Sequence, residues 1–415
     1  MALQSPRGTH DLLPELQGKH NMIIQTARSL SERFGFHEMI TPIFEFSEVF
    51  KRTLGEASDI VNKEMYTFKD RNGEEITLRP EGTAGIARAF ISEGLSQRTP
   101  LKLFYQGPMF RYERPQKGRQ RQFTQIGVEL IGASSPFADL EVLALAHEIL
   151  KALKIDGQST LEINSIGDPE SRKAYVERLV KYLSEKQFSL STDSQKRLGT
   201  NPLRILDSKD PGDHEVLKNA PLISESYNEA SKSFFTKVVE GLSAYGVPYK
   251  VNPFLVRGLD YYTHCVFEFK TTALGAQDGI LSGGRYDPLI KTMGGPDTPG
   301  VGWAAGLERL AMLSGLDATP PRPVALIPVH ESVEVQTFAL ANTLRAKGLH
   351  VEVAFSGNVS KRMKRAANQN CWAAIVIGTD ELQKGEVSVK LMDSGEQKPA
   401  RLDSLETQLR SFAKA

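Results

Sequence analysis

Cysteine is nearly missing from this chain of 415 residues: only Cys265 and Cys371 occur, far apart in sequence. There is no disulfide framework and no CxxC or HxxxH spacing for zinc, so a reducing compartment is expected. Net charge is missing too, since 51 Lys and Arg stand against 50 Asp and Glu. A global pull on polyanions is therefore excluded, and nucleic-acid binding would have to come from local patches. No apolar run approaches a membrane span, and the opening MALQSPRGTHDLLP carries no apolar leader. A cytoplasmic protein without membrane association is expected. Repeats and low-complexity tracts are also missing. What is present is an ordinary globular composition over a length that calls for two or three domains.

The stretch that organises the chain is residues 103–132. Its first arm, 103–110, is mostly apolar and aromatic and suits a buried strand. The loop 111–121 sets Arg111, Arg114, Lys117, Arg119 and Arg121 against the single acid Glu113, with Pro115 and Gly118 turning the chain. The second arm alternates: Ile126, Val128 and Leu130 share one face, and Phe123, Gln125 and Glu129 the other. An ordinary half-exposed strand would carry Lys, Thr or Ser on its polar face. Two readings stand: a solvated charged hairpin, or a ligand surface holding a polyanion beside a small cationic group.

Around it, apolar spacing predicts a helix over 15–34 closed by Gly35, then a strand over 36–45 interrupted by Pro42. This pair serves either as a dimer surface or as core packing. Strands over 65–70 and 75–80 flank an Arg71-Asn72-Gly73 turn. A helix over 84–93 follows, for which Thr83 is a natural cap, while nothing structural calls for a carboxylate at Glu81. A helix over 139–153 and a strand over 161–166 lead to a charged helical insertion, 171–246, with a polar break at 201–219. Strands return at 251–255 and 263–271, and a glycine-rich strand runs into a helix over 300–310. Pro320-Pro321-Arg322-Pro323 is a stiff linker. Beyond it strands and helices alternate, predicting a small α/β domain with a mostly parallel sheet.

The motifs together resemble the histidyl-tRNA synthetase (histidine–tRNA ligase) family, class II, over nearly the full length. Residues 36–46 around Pro42 resemble the first class motif, which lies at the dimer interface. Phe110-Arg111-Tyr112-Glu113 with Arg114-Pro115-Gln116 resembles the second, and Gly306-Leu307-Glu308-Arg309 the third. Two further stretches are similar to this family's histidine-specific elements: Arg257-Gly258-Leu259-Asp260-Tyr261-Tyr262 and Ser282-Gly283-Gly284-Arg285-Tyr286-Asp287. The chain departs from the family at Gln120, Thr124 and His264-Cys265, which neighbour the site.

The resemblance implies an α/β (α+β) architecture. A class II antiparallel sheet flanked by helices forms a core from 1–170 and 247–319. The insertion spans 171–246, the linker 320–323, and a C-terminal α/β anticodon-binding domain 324–415. It implies ATP-dependent ligation of L-histidine to tRNA(His) through histidyl adenylate, in a homodimer, with Mg²⁺ on the phosphates and no metal ligand set on the protein. Joining a carboxylate to the α-phosphate brings two anions together, so fixed guanidinium groups are the device such a reaction needs. Arg257, Arg111 and Arg309 would take the catalytic roles, with Arg119 also on the triphosphate and Phe123 stacked on adenine. Glu81, Thr83 and Gln125 would face the amino group of histidine. Glu129 and Tyr262 would meet its imidazole, Tyr261 and Tyr286 would close the pocket, and Arg111 and Arg257 would hold the carboxylate. A pocket that hydrogen-bonds both ring nitrogens can reject other side chains by roughly ten-thousandfold. Arg114 and Gln116 would meet the acceptor end of the tRNA, including the extra 5′ guanosine. Lys361, Arg362, Lys364 and Arg365, in a stretch without acids, offer a basic helix face for RNA phosphates or for solvent.

Two rivals are weaker. A synthetase-like regulatory subunit would lack the C-terminal module and lose the arginine motifs, whereas Arg111, Arg257 and Arg309 are all present. A pure RNA binder leaves the Glu81–Gln125–Glu129 set unexplained.

Overall fold

The computed structural model describes residues 3–413 apart from 56, 57, 59, 117, 258–260, 276, 277 and 318. Lys117 of the arginine loop and Gly258-Leu259-Asp260 thus lie outside the described residues. Contacts divide the chain into two units, Met1–Ala318 and Thr319–Ala415.

In the first unit the organising hairpin forms as the alternation predicts. Leu101–Phe110 pairs antiparallel with Gln122–Ile131 along their full length. Ile126, Val128 and Leu130 are buried in the main core, each contributing about 1.5–3 kcal/mol by leaving water. The polar face is covered as well: Gln125 is 6% exposed and Glu129 0%. The strand is closed in on both sides, so its polar residues face a built interior and not bulk solvent.

The hairpin sits in an eight-stranded sheet. The order is His37–Glu38, Leu101–Phe110, Gln122–Ile131, Gly300–Gly306, Gly279–Arg285, Thr263–Lys270, Thr160–Ser165, Tyr249–Val251. The pairings are antiparallel except at the two edges, which are parallel. Helices cover the aliphatic face. Pro14–Arg33 begins with proline in its first turn and stops before Gly35, at φ 78°. Pro136–Ala152 begins on Ser135, whose side chain accepts from the Phe137 amide. Glu229–Tyr245, the last helix of the 171–246 stretch, packs on Pro136–Ala152 and sends Val238 and Leu242 into the same core. That end of the stretch is part of the sheet's own cover. A buried ion pair, Arg285 to Asp139, with both side chains 0% exposed, ties the sheet to that helix.

Several expected elements differ. The strand expected over 36–45 is reduced to His37–Glu38 and Phe44–Phe46. Between them the backbone is claimed by Arg79, which donates to the Thr41 carbonyl at 2.8 Å and the Pro108 carbonyl at 2.9 Å. Gly107, at φ 155°, has no side chain because that guanidinium lies against it. The strand expected over 251–255 ends at Val251, because the Asn252 side chain accepts from the Phe254 amide and turns the chain at Asn252-Pro253. The polar break at 201–219 is ordered and contains the helix Pro211–Leu217. Its organiser is Asp213, 0% exposed, which accepts from the Ser191 amide and from the hydroxyls of Ser191, Ser194 and Ser208. Leu203, Ile205, Leu206 and Leu217 of the segment are buried as well, but with the chain turned by one carboxylate and three serines they show no regular helical period in sequence.

The second unit holds a five-stranded sheet, ordered Val351–Val353, Val324–Pro328, Ala373–Ile377, Glu386–Leu391, Gln397–Arg401. Two pairings are parallel and two antiparallel, so "mostly parallel" overstates it. A short helix, Thr379–Lys384, was not expected; the Glu381 carboxylate starts it by accepting from the Gly378 amide at 3.0 Å.

Candidate active site

On the polar face of the hairpin lies a cavity of about 430 Å³. Its wall includes Glu81, Thr83, Gln125, Tyr261, Tyr262 and Tyr286, together with Arg111, Arg119, Phe123, Arg257 and Arg309. Glu129 lies just behind that wall, fully buried. Residues from across the first 309 positions of the chain thus meet at one place.

One end is a pocket of carboxyl, amide and phenol groups. The Glu81 carboxylate accepts from the backbone amides of Thr83 at 2.6 Å and Ala84 at 2.8 Å. The Pro-Glu-Gly turn therefore does require a carboxylate: Glu81 caps the helix Thr83–Ser92, and Thr83 does not. Instead the Thr83 hydroxyl donates to Glu129 Oε1 at 2.6 Å, while Tyr286 Oη donates to Glu129 Oε2 at 2.5 Å. Gln125 Oε1 accepts from the Gly82 amide at 3.0 Å. Gly302, directly opposite Glu129 in the sheet, leaves room for this carboxyl group, since a Cβ there would overlap Oε2. Burial pushes the Glu129 carboxyl up to about 8, against the two hydroxyl donors that pull it down, and Glu81 adds to the rise. Burial likewise raises Glu81, with the Ala84 and Thr83 amides opposing. The phenols of Tyr261, Tyr262 and Tyr286 are all raised by burial and stay neutral. Tyr261 packs on Tyr262 with ring centroids 4.6 Å apart and meets Tyr286 edge-on at 6.0 Å.

The other end is cationic. Arg257 donates from Nη1 to Glu268 Oε1 at 3.1 Å and from Nη2 to Ser282 Oγ at 2.8 Å. Burial works against its charge, but Glu268 and Tyr262 outweigh it and hold the pKa above the ordinary arginine value. Arg309, on the helix Leu307–Leu313, donates from Nη1 to the Gly279 carbonyl. Its pKa is lowered by burial and by the positive charge of Arg119. Arg257 Nε and Arg309 Nη2 are buried and find no hydrogen-bond partner among the described residues. Arg111 donates from Nε to the Pro80 carbonyl at 2.8 Å and lies 5.3 Å from the Phe123 ring centre. Glu113 is placed between two of these cations, 3.8 Å from Arg111 and 2.8 Å from Arg119.

A wall of guanidinium groups with unused N–H donors suits a multiply charged anion, and the carboxyl end suits a small molecule carrying a cation and N–H groups. Glu268 and Ser282, which orient Arg257, were missed at the sequence level. Glu268 had one signal, an acid inside the apolar run Cys265-Val266-Phe267-Glu268-Phe269. Arg204, from the helical stretch, also lines the cavity and gave no signal. Among the described residues no group of three His, Cys, Asp or Glu is gathered that could hold a metal ion.

The remaining residues lie elsewhere. Arg114 and Gln116 are exposed on the loop, whose tip closes through backbone bonds between Gln116 and Arg119. In the second unit Lys361, Lys364 and Arg365 are exposed on the helix Val359–Asn368, but Arg362 does not share their face. Only 9% of it is exposed, and its three donor nitrogens go to Gly357 O, Pro328 O and Glu334 Oε1. Its position, four before buried Ala366, turns it toward the sheet. Arg362 is a structural residue, which corrects its assignment to the RNA-facing set.

Comparison with known proteins points one way. Residues 8–310 match the family model described as Histidyl-tRNA synthetase, and residues 323–412 match the Anticodon binding domain. The histidine–tRNA ligase of Rhodospirillum rubrum is 58% identical over 412 residues, 99% of each chain. That of Gluconacetobacter diazotrophicus is 50% identical over 414 residues, again 99% of each. Among solved structures, the apo histidyl-tRNA synthetase of Staphylococcus aureus superposes with a TM-score of 0.83 at 36% identity, covering 98% of this chain and 99% of its own.

Proposed function

The chain belongs to the histidyl-tRNA synthetase family, and we propose that the cavity on the central hairpin is where histidine and ATP are joined. The overall reaction is the family's: ATP-dependent charging of tRNA(His) with L-histidine through histidyl adenylate, releasing AMP and diphosphate. The observation that carries the site assignment is the convergence of Arg111, Arg257 and Arg309 on one wall of a cavity whose far end is Glu81 and Gln125, with Glu129 directly behind it.

Histidine enters with its α-amino group toward Glu81 and Gln125 and its imidazole toward Glu129 and Tyr262. Tyr261 and Tyr286 close over it. Its carboxylate then faces Arg111 and Arg257, and the same guanidinium groups meet the α-phosphate. Attack of the carboxylate oxygen on phosphorus places extra negative charge there as diphosphate leaves. Arg257 is already fixed by Glu268 and Ser282, so no reorganisation is needed when that charge develops. Arg309 and Arg119 take the distal phosphates, and the Phe123 ring takes adenine. In the second step the terminal ribose hydroxyl of the tRNA attacks the histidyl carbonyl and AMP leaves. Arg114 and Gln116 on the loop, and Lys361, Lys364 and Arg365 on the second unit, are the residues proposed to meet the tRNA.

Mg²⁺ would come in on the triphosphate and offset part of its charge. An ion held chiefly by phosphate oxygens and water needs at most one or two protein carboxylates, and Glu113 stands in the cavity wall. A homodimer is supported by exposed apolar side chains. Ile40 is 68% exposed and Ile43 45%. Phe46 and Phe68, 55% and 47% exposed, flank Ile76 across a separate three-stranded antiparallel sheet of Phe44–Phe46, Glu75–Leu78 and Tyr66–Lys69. We place the protein in the cytoplasm; among the described residues no helix is long and apolar enough to cross a membrane.

The test is histidine-dependent exchange of diphosphate into ATP. Wild type should show it, and Arg257→Ala should lose it while still binding histidine. Unchanged exchange in that variant would remove Arg257 from the mechanism even with the family correct.

A further inference from the structure

Asn164 is a polar side chain left only 3% exposed in the strand Thr160–Ser165, whose Leu161 and Ile163 belong to the main core. A buried amide needs partners, and this one finds them in a single loop. Asn164 Nδ2 donates to the Pro253 carbonyl at 3.2 Å and to the Leu255 carbonyl at 3.0 Å, two residues before Arg257. Glu162, on the same face of the strand, grips the same turn by accepting from Asn252 Nδ2 at 2.7 Å. It also stands opposite Glu268 in the sheet. Lys270 bridges the two carboxylates, 3.1 Å from Glu162 and 3.7 Å from Glu268. This strand therefore reaches Arg257 twice, through the backbone at Leu255 and through the side-chain partner Glu268.

The far end of the loop returns to the same segment. Tyr262 runs into the strand Thr263–Lys270, which pairs antiparallel with Thr160–Ser165. At the join His264 takes φ 47°, a left-handed conformation that a non-glycine residue keeps only where its surroundings enforce it. Two backbone bonds do so: the His264 amide donates to Gly167 O at 2.8 Å, and the Ile166 amide donates to His264 O at 2.7 Å. Arg172, in the first turn of the helix Pro169–Glu185, donates from Nη1 to the Tyr262 carbonyl at 3.2 Å. That helix opens the 171–246 stretch, and its start is tied to the helix that closes it. Asp168 accepts from the Ser171 amide at 2.8 Å and from Asn228 Nδ2 at 2.7 Å. In return the Asn228 amide donates to Ser171 Oγ at 3.0 Å, and the Asp168 amide to Ser231 Oγ at 2.9 Å. Two helix caps thus brace one another at the root of the insertion.

We propose that Asn164 and Arg172 are positioning residues for the activation step, Asn164 setting Arg257 and Arg172 setting Tyr262. The root of the insertion is then the seat on which the loop bearing both groups rests. The inference depends on the reading of Arg257 at the reacting carboxylate and Tyr262 at the imidazole. Neither Asn164 nor Arg172 lines the cavity, so each acts only through the loop. The two ends of the loop serve different parts of the substrate, and their effects should separate.

The test measures histidine-dependent diphosphate exchange in wild type, Asn164→Ala, Arg172→Ala, Arg257→Ala and the double variant of Asn164→Ala with Arg257→Ala. A melting temperature accompanies each. Asn164→Ala should lower kcat by about ten- to hundredfold with KM for histidine little changed, the cost of a small misplacement of a reacting group. Arg172→Ala should raise KM for histidine by about tenfold and leave kcat near wild type. The double variant should match Arg257→Ala alone. Should Asn164→Ala not fold, Asn252→Ala, half-buried on the same turn, carries the same expected loss in kcat. Wild-type kinetics in these variants would overturn the positioning roles and leave the site assignment standing. So would a lowered melting temperature accompanied by equal losses in kcat and KM, since the two side chains would then be merely structural. A double variant slower than Arg257→Ala would overturn the route through Arg257. Unchanged exchange in Arg257→Ala would overturn the site assignment and this inference with it.

Discussion

Tyr286 Oη donates a hydrogen bond to Glu129 Oε2 at 2.5 Å, joining residues 157 apart in sequence beneath the amino-acid end of the cavity. Thr83 does the same for the other carboxyl oxygen, so the orientation of Glu129 is set from both sides. Removing one donor frees the carboxyl group to turn and leaves it less well satisfied. Tyr286→Phe should lower kcat/KM for histidine by about ten- to hundredfold, the cost of leaving one oxygen of a buried carboxyl group without its donor, with KM for ATP little changed. Steady-state exchange at varied histidine and varied ATP separates the two; equal losses on both substrates would mean that the ring positions the whole cavity.

The same carboxyl group makes a prediction about stability. Its pKa rises on folding from an ordinary 4.5 to about 8. Below pH 4.5 it is protonated in both states and costs nothing. As pH rises toward 8 the unfolded chain ionises and the folded one does not, so stability falls through this window and then levels off. Glu129→Gln removes the effect. The variant should gain stability over wild type by an amount that grows from pH 5 to pH 8, reaching on the order of several kcal/mol, while histidine activation is lost. Urea melts of both proteins across that range check it. Parallel pH curves would show that Glu129 is ionised in the folded protein.

Gly302 is the third member of this group. A Cβ at that position meets the Glu129 carboxyl group and the Val128 carbonyl, and the sheet backbone on both sides cannot yield. Gly302→Ala should destabilise by about 1–3 kcal/mol as an overpacking change. It should raise KM for histidine roughly tenfold or more through displacement of Glu129, by analogy with other sub-ångström misplacements of a binding group. A variant with normal KM for histidine and only a lowered melting temperature would separate the glycine from substrate binding.

What the sequence made legible was whatever local period or local chemistry could carry. The alternation of Ile126, Val128 and Leu130 against Gln125 and Glu129 placed the correct faces, and the arginine motifs placed the cationic wall. Where a single polar side chain reorganises distant backbone, no local pattern exists. Arg79 reaches across to Thr41 and Pro108 and breaks a strand that the apolar run 36–45 suggested. Asp213 gathers three serines into a fold that reads as a polar break. Glu81 looked free of structural duty because its partners are backbone amides, which leave no trace in residue identity. Arg362 looked like one of four equivalent cations until its acceptors, 5, 34 and 28 residues away, were placed around it.

Arg257 and Glu268 give the sharpest test of mechanism. Glu268 Oε1 holds Arg257 Nη1 at 3.1 Å, and Lys270 lies 3.7 Å from the other carboxyl oxygen, so Glu268 acts on Arg257 from within a small charge network. If its role is to aim the guanidinium, Glu268→Gln keeps the shape but weakens the aim. A loss of roughly tenfold in kcat with little change in KM is expected, against roughly hundred- to thousandfold for Arg257→Ala, the usual cost of removing a fixed donor to a developing charge. Combining the two decides how Glu268 works. Acting only through Arg257, it has nothing left to do once that side chain is gone, and the double variant should match Arg257→Ala alone. A further tenfold loss in the double variant would mean that Glu268 reaches the substrates independently, as a carboxylate on the phosphate-bound Mg²⁺ would. Arg257→Lys sharpens the point: a lysine keeps the charge but lacks the planar fork that meets Glu268 and Ser282 together, so it should recover little of the lost rate.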